Sequence, residues 1–277
     1  MQTLLNVLIL SVTEIVYLLG ILIAVGFLLG WIESISNRWA YQAFGKPGIM
    51  LTACIGTPIH EIGHALMCLL FGHKIIAMKL FDINPKNSIL GYVNHSFNKY
   101  NLYQRSGNFF ISLGPIFSGT AAILFFMYML EPNTFKALQT YVVSAPVDST
   151  NIVDFIKWSW HSIMIVYTGI VNSPSIGSPS FWIFLLLAIC TASHIALSKE
   201  DIKNAVSGLV VTLFIVVLFN VGAFLCGIET LKYVLAVAKY NIYLISVLSV
   251  SIEFSLVTAL IMGIFCRIKK LMTSWRG

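Results

Sequence analysis

Charge is what this sequence has least of. Only 10% of its 277 residues are Asp, Glu, Lys or Arg, against about 25% in a soluble domain. That shortage excludes an ordinary water-exposed globule. The net charge is +6, but the basic residues are spread over short connections and the C-terminus, which argues against a nucleic-acid-binding face and for a membrane protein whose loop charges set orientation. Cys54, Cys68, Cys190, Cys226 and Cys266 all lie in apolar runs, with no C-x-x-C spacing. They show no disulfide framework and read as core residues. Met1–Thr3 has no basic residue, and the apolar run behind it is too long for the core of a cleaved signal peptide, so it reads as a retained anchor. No internal repeat of the kind many transporters carry is visible.

What the chain has is hydrophobic length. It is 58% hydrophobic with a mean hydropathy of +0.86. The pattern predicts an all-α, polytopic membrane bundle of about six transmembrane helices, one domain over 1–277, with an active-site core at about 48–208. The expected spans are about Leu4–Ile32, Gly48–Phe71, Asn108–Leu130, Phe181–Leu197, Ala205–Ile228 and Tyr240–Cys266. A short loop with Glu33, Arg38, Lys46 and Pro47 is expected after the first. Thr57-Pro58 predicts a kink or a fresh helix start, since proline removes a helical hydrogen bond and suits the first turn. Between Gly72 and Gly107, Lys74–Phe81 and Ile89–Ser96 read as a β-hairpin turning near Asn84-Pro85. The stretch from Glu131 to Ser180 reads as a polar loop holding an interfacial or re-entrant helix, Ile152–Val171. Six spans put both termini on one side. With that side inside, eleven of the seventeen Lys and Arg fall there, which predicts cytoplasmic termini. The compact chain suggests a bacterial inner membrane.

Inside the second span lies His60-Glu61-Ile62-Gly63-His64. Residues i and i+4 share a helix face, so His60 and His64 can offer two imidazole nitrogens to one Zn²⁺, and Glu61 stands one position round, in reach of a water on that metal. His and Glu are scarce in apolar helices because they are costly there. The plainer reading is a pair of buried, hydrogen-bonded histidines. A catalytic zinc takes three protein ligands and leaves a position for water. Asp201 leads as the third, although Ser198-x-x-Asp201 is also a capping-box pattern in which Asp201 only caps a helix. Glu253, a carboxylate near mid-span, is second, and His194 third. His73, His95 and His161 fall in loops, and Glu14 lies too far from any motif to place. Zinc lowers the pKa of water towards about 7. Glu61 would take that proton and return it to the leaving amine. The reaction class such a set predicts is peptide-bond hydrolysis, with an extended substrate arriving through the membrane. The hairpin edge could bind it by strand addition, or the hairpin could be a plain loop.

Gly56-Thr57-Pro58-Ile59-His60-Glu61-Ile62-Gly63-His64-Ala65, Phe71-Gly72, Leu90-Gly91-Tyr92-Val93, Leu113-Gly114-Pro115 and a late Asp201 together resemble the site-2 protease family of intramembrane zinc metalloproteases. The resemblance covers Gly48–Pro115 well and Ser193–Gly208 loosely. It implies zinc held by His60, His64 and Asp201, with Glu61 as catalytic base, and a membrane-anchored protein or peptide as substrate in the lipid bilayer. Two features depart from the family: Ser198-Lys199-Glu200-Asp201 replaces the usual Asn-Pro…Leu-Asp-Gly setting, and no Asn follows Gly114-Pro115. The competing functions are a membrane zinc peptidase with Glu253 as third ligand, and a non-catalytic transporter or assembly factor.

Overall fold

The computed structural model describes residues 2–83, 89–144 and 152–274. Ten α-helices and one two-stranded sheet occupy the described residues. The first is α1 (Gln2–Ile15), which runs through a π-helical turn, Val16–Gly20, into α2 (Ile21–Phe44). The loop expected after Ile32 is therefore helix. Leu29, Ile32, Ser36, Ala40 and Ala43 are buried at spacings of three and four, so one face stays packed while Glu33 and Arg38 turn elsewhere. The helix stops at Gly45, whose φ of 69° lies in the left-handed region that glycine tolerates.

Helix α3 (Lys46–Leu70) carries the histidine motif. It continues through Pro58 without restarting, and Thr57 does not cap it. The irregular backbone expected there appears elsewhere. Helix α7 (Pro179–Ala192) is only 14 residues long, and Ser193–Ser198 runs irregularly to α8 (Lys199–Leu225). A non-helical segment between apolar helices is tolerated where it lines a cavity, which this one does. Five helical runs are long and apolar enough to cross a membrane: Leu4–Phe44, Lys46–Leu70, Leu102–Leu130, Lys199–Leu225 and Leu244–Thr273. The remaining expected span is α7, at about 21 Å too short to cross alone.

The hairpin is present as β1 (Lys74–Lys79) and β2 (Tyr92–Ser96), antiparallel, with a register shift between Ile75 and Ala77. Its expected turn at Asn84-Pro85 lies outside the described residues. Helix α4 (Leu102–Leu130) starts six residues before the expected Asn108, because the Asn101 side chain accepts from the backbone N–H groups of Tyr103 and Gln104 and so caps it. The presumed loop after Glu131 is two helices, α5 (Pro132–Val143) and α6 (Ile152–Val171); the latter keeps its expected bounds and packs on α5 and α10 (Asn241–Ser274). The short α9 (Leu231–Ala238) precedes α10.

The main core joins Leu22 and Leu29 of α2, Phe109, Leu113, Ile116 and Ile123 of α4, and Ile195–Leu197 of the irregular segment. Helices α3 and α4 meet backbone to backbone. A Cβ on Gly63 would stand 2.5 Å from the Gly114 carbonyl oxygen, and one on Gly114 would stand 2.5 Å from that of Gly63. Small residues permit this approach between membrane helices, and Ser118 tightens it by donating to the Ile59 carbonyl at 2.8 Å. Gly114→Ala is accordingly expected to destabilise the protein by about 1–3 kcal/mol by overpacking, seen as a lower unfolding temperature in detergent. An unchanged temperature would mean that the two helices are free to part.

Candidate metal centre

His60 and His64 lie one turn apart on α3, and each ring is fixed from behind. Backbone carbonyls only accept. His60 Nδ1 therefore donates to the His194 carbonyl at 2.8 Å, and His64 Nδ1 donates to the Ile111 carbonyl at 2.8 Å. With Nδ1 protonated, the Nε2 atom of each neutral ring carries a lone pair. Those two Nε2 atoms face one another at 3.1 Å.

Asp201 completes the cluster. Its Oδ1 is 3.2 Å from His64 Nε2 and its Oδ2 is 3.7 Å from His60 Nε2. Among the described residues, this is the one group of three or more His, Cys, Asp or Glu whose donor atoms lie close enough together to hold a metal. With both rings neutral, three acceptors converge, an arrangement that either a proton on one Nε2 or a bound metal cation relieves. Separations of 3.1, 3.2 and 3.7 Å also fit the roughly 3.3 Å expected between tetrahedral ligands about 2.0–2.1 Å from zinc. The donors therefore suit a zinc-sized ion in chemistry and in spacing.

The two sequence readings of Asp201, ligand and cap, describe one geometry. Asp201 N–H donates to the Ser198 hydroxyl oxygen at 3.1 Å. Ser198 N–H and Oγ both donate to Asp201 Oδ2, at 2.8 and 2.6 Å. The capping box thus aims the carboxylate while closing the start of α8, as supporting hydrogen bonds do for metal ligands generally. Glu253 lies on α10 and is not part of the cluster. His194 contributes its backbone carbonyl rather than its ring. That ring lies 3.1 Å from Thr52 Oγ1 and 3.5 Å from Glu33 Oε1, and Asn37 donates to Glu33 at 3.3 Å.

In the sequence Glu33 reads only as a loop residue, and Asn37 and Thr52 carry no signal of their own. The i, i+4 spacing of Glu33 and Asn37 would have signalled a polar helix face, had the helix been extended to Phe44.

Beside the cluster is a cavity of about 380 Å³, lined among others by His60, Glu61, Gly91, His194 and Ser198. It could hold on the order of ten waters. Glu61 is buried against the hairpin: a Cβ on Gly91 would lie 2.8 Å from its Cγ. The general-base candidate, the histidines and the chain entering β2 therefore share one space.

The hairpin has its own histidine pair. His73 Nε2 donates to the Gln104 carbonyl at 2.7 Å, so its Nδ1 accepts from His95 Nδ1 at 2.9 Å. Burial pushes the pKa of His95 from 6.5 down to about 4, with nearby His73 and His64 adding to the effect. A depressed histidine pKa favours the folded state above the unfolded value, and that stability is lost as pH falls through the folded value. Amide exchange in β1 and β2 is therefore expected to accelerate between about pH 6.5 and 4. A His95→Gln variant should flatten this response. Exchange independent of pH in the wild type, after correction for the intrinsic rate, would remove His95 as the cause.

No protein-family model matches the chain, and no match is found among curated proteins or among solved structures.

Proposed function

We propose that this protein is a membrane-embedded zinc endopeptidase, similar in its site to the site-2 proteases, that cleaves membrane-anchored proteins or peptides. One observation carries the reading: two imidazole lone pairs and a carboxylate converge on a point, each ring locked by its own backbone carbonyl, inside helices apolar enough to span a bilayer.

Zinc, when bound, supplies a Lewis acid that polarises a carbonyl and makes water a nucleophile near neutral pH. The chain does the rest. His60, His64 and Asp201 hold the ion. Glu61 receives the proton of the attacking water and delivers it to the leaving amine nitrogen. Gly91, packed on Glu61, brings the hairpin to the reacting centre, and an outer strand edge offers backbone groups to an extended substrate. A helical substrate would have to unwind there, since a helix engages its own carbonyls. Counting α7 together with the irregular Ser193–Ser198 as the sixth crossing puts both ends on one side, and the excess of basic residues in the segments on that side supports a cytoplasmic position for them; the compact chain suits a bacterial inner membrane.

The direct test is zinc content of the purified full chain, with Asp201→Ala and Glu253→Ala alongside, together with cleavage of a reconstituted single-span peptide. About one zinc per chain is expected, lost with Asp201→Ala and kept with Glu253→Ala. Cleavage should stop with 1,10-phenanthroline and return on adding Zn²⁺. A folded wild type that binds no zinc would refute the reading. Zinc lost only with Glu253→Ala would move the site to the other ligand set.

A further inference from the structure

A second polar cluster lies between α1, α8 and α9, away from the histidines. Glu14 is buried, at 4% exposure. Its Oε2 accepts from Asn220 Nδ2 at 2.7 Å, and its Oε1 accepts from the Thr230 hydroxyl. The same Asn220 amide donates to Ser11 Oγ at 3.0 Å, and Ser11 in turn donates to the Val7 carbonyl. Among the described residues, no Lys, Arg or His forms an ion pair with Glu14. A carboxylate between apolar helices with neutral partners alone is costly, and such residues mark binding or transport sites. The cluster also has acceptors to spare. Each carboxylate oxygen has a second lone-pair position, and the buried Asn220 Oδ1 has no partner. What is missing is a positively charged group with several hydrogens.

Glu14 and Thr230 form part of the wall of a cavity of about 460 Å³, whose other walls include Leu18, Val216, Phe219 and Tyr233. That volume matches on the order of fifteen water-sized groups, far more than a bare ion needs. Its lining is almost wholly apolar. Phe219 and Tyr233 are also exposed on the outside of the helices, so the cavity is reachable from the acyl region of a bilayer.

We infer that this cavity binds an amphiphile carrying a primary ammonium group, with the ammonium on the Glu14 carboxylate and the apolar chain along Leu18, Val216 and Phe219. A free long-chain amine and an aminophospholipid share this chemistry. Lys232, exposed beside Tyr233 with its Nζ 5.1 Å from that ring centroid, distinguishes them, because it can meet the phosphate of a phospholipid headgroup and has nothing to offer a simple amine.

The test uses the full chain in a neutral detergent, with binding followed by native mass spectrometry and by the unfolding temperature. Dodecylamine should bind saturably and about 10–100-fold more tightly than dodecanol, the range for hydrogen bonds to a charged group. Glu14→Gln should remove that preference. Val216→Trp, which fills the cavity and leaves Glu14 in place, should abolish binding of both, so a misfolded Glu14 variant does not leave the matter open. Phosphatidylethanolamine outcompeting phosphatidylcholine, with Lys232→Ala weakening it but not dodecylamine, assigns the lipid. Dodecylamine binding untouched by Lys232→Ala, with no preference between the two phospholipids, assigns the free amine. Equal binding of amine and alcohol, or full binding by a folded Glu14→Gln variant, would overturn the proposal.

Discussion

Glu61→Gln is expected to slow peptide hydrolysis by about 10²–10⁴-fold, the usual contribution of a general base, while zinc content stays at the wild-type level. The two outcomes separate because of where Glu61 stands. The three candidate ligands are His60, His64 and Asp201. Glu61 is the residue between the histidines that lines the adjoining cavity and meets Gly91 of the hairpin segment. Glutamine has nearly the same shape, so the Gly91 contact survives and only proton transfer is lost. A metal carrier or an assembly factor would not notice the change. Undiminished cleavage by Glu61→Gln would take the general-base role from this residue, whatever the zinc result.

The second large effect is at Asp201. Removal of its carboxylate should reduce zinc affinity by more than about 100-fold, beyond the 10–100-fold typical of losing a supporting residue. Asp201→Ala also removes the half of the α8 capping box that reaches back to Ser198, while the Ser198 cap itself stays, so it mixes two causes. Asp201→Asn divides them: the amide oxygen can still accept from Ser198, but the charge is gone. Ser198→Ala does the reverse, keeping the charge and removing one of the two bonds that aim it. The expected order of zinc affinity is wild type, then Ser198→Ala by about 10–100-fold, then Asp201→Asn and Asp201→Ala. The expected order of thermal stability differs, with Asp201→Asn close to wild type. Equal zinc binding by wild type and Asp201→Asn would reduce Asp201 to a cap.

These residues also show how far the sequence could be read. The pair His60 and His64 was legible because helical spacing alone puts them on one face. Asp201 was legible as a candidate, but its two roles looked like rivals until Ser198 was found bonding one oxygen while the carboxylate faced the rings. The His194 and Ile111 carbonyls that fix the tautomers were not legible, because any residue supplies a carbonyl and only tertiary packing decides which one arrives. The same limit produced the errors in the fold. Glu33 and Arg38 look like loop residues, yet tertiary burial of Ile32, Ser36 and Ala40 holds the helix to Phe44. Pro58 looks like a break, yet α3 passes through it, and the break falls at Ser193–Ser198, where Gly56 packs against Cys190 and His194. Asn101 was a cap within a stretch read as polar loop. The hairpin was legible because β-rich runs and a turn signal need no partner to be recognised.

The continuous run Leu4–Phe44 has 41 residues. At about 1.5 Å per residue it measures roughly 60 Å, twice a hydrocarbon core of about 30 Å. Tilt alone would require about 60°, well past the 0–40° that spanning helices adopt. The surplus is taken up by carrying the end with Glu33, Asn37 and Arg38 out of the hydrocarbon, while the 14-residue α7, packed on α3, α4 and α10, falls short of the same thickness. A bilayer that suits the long helix is deeper than α7 can match, so a single-span protein moving past this molecule would meet unequal apolar depths from one helix to the next.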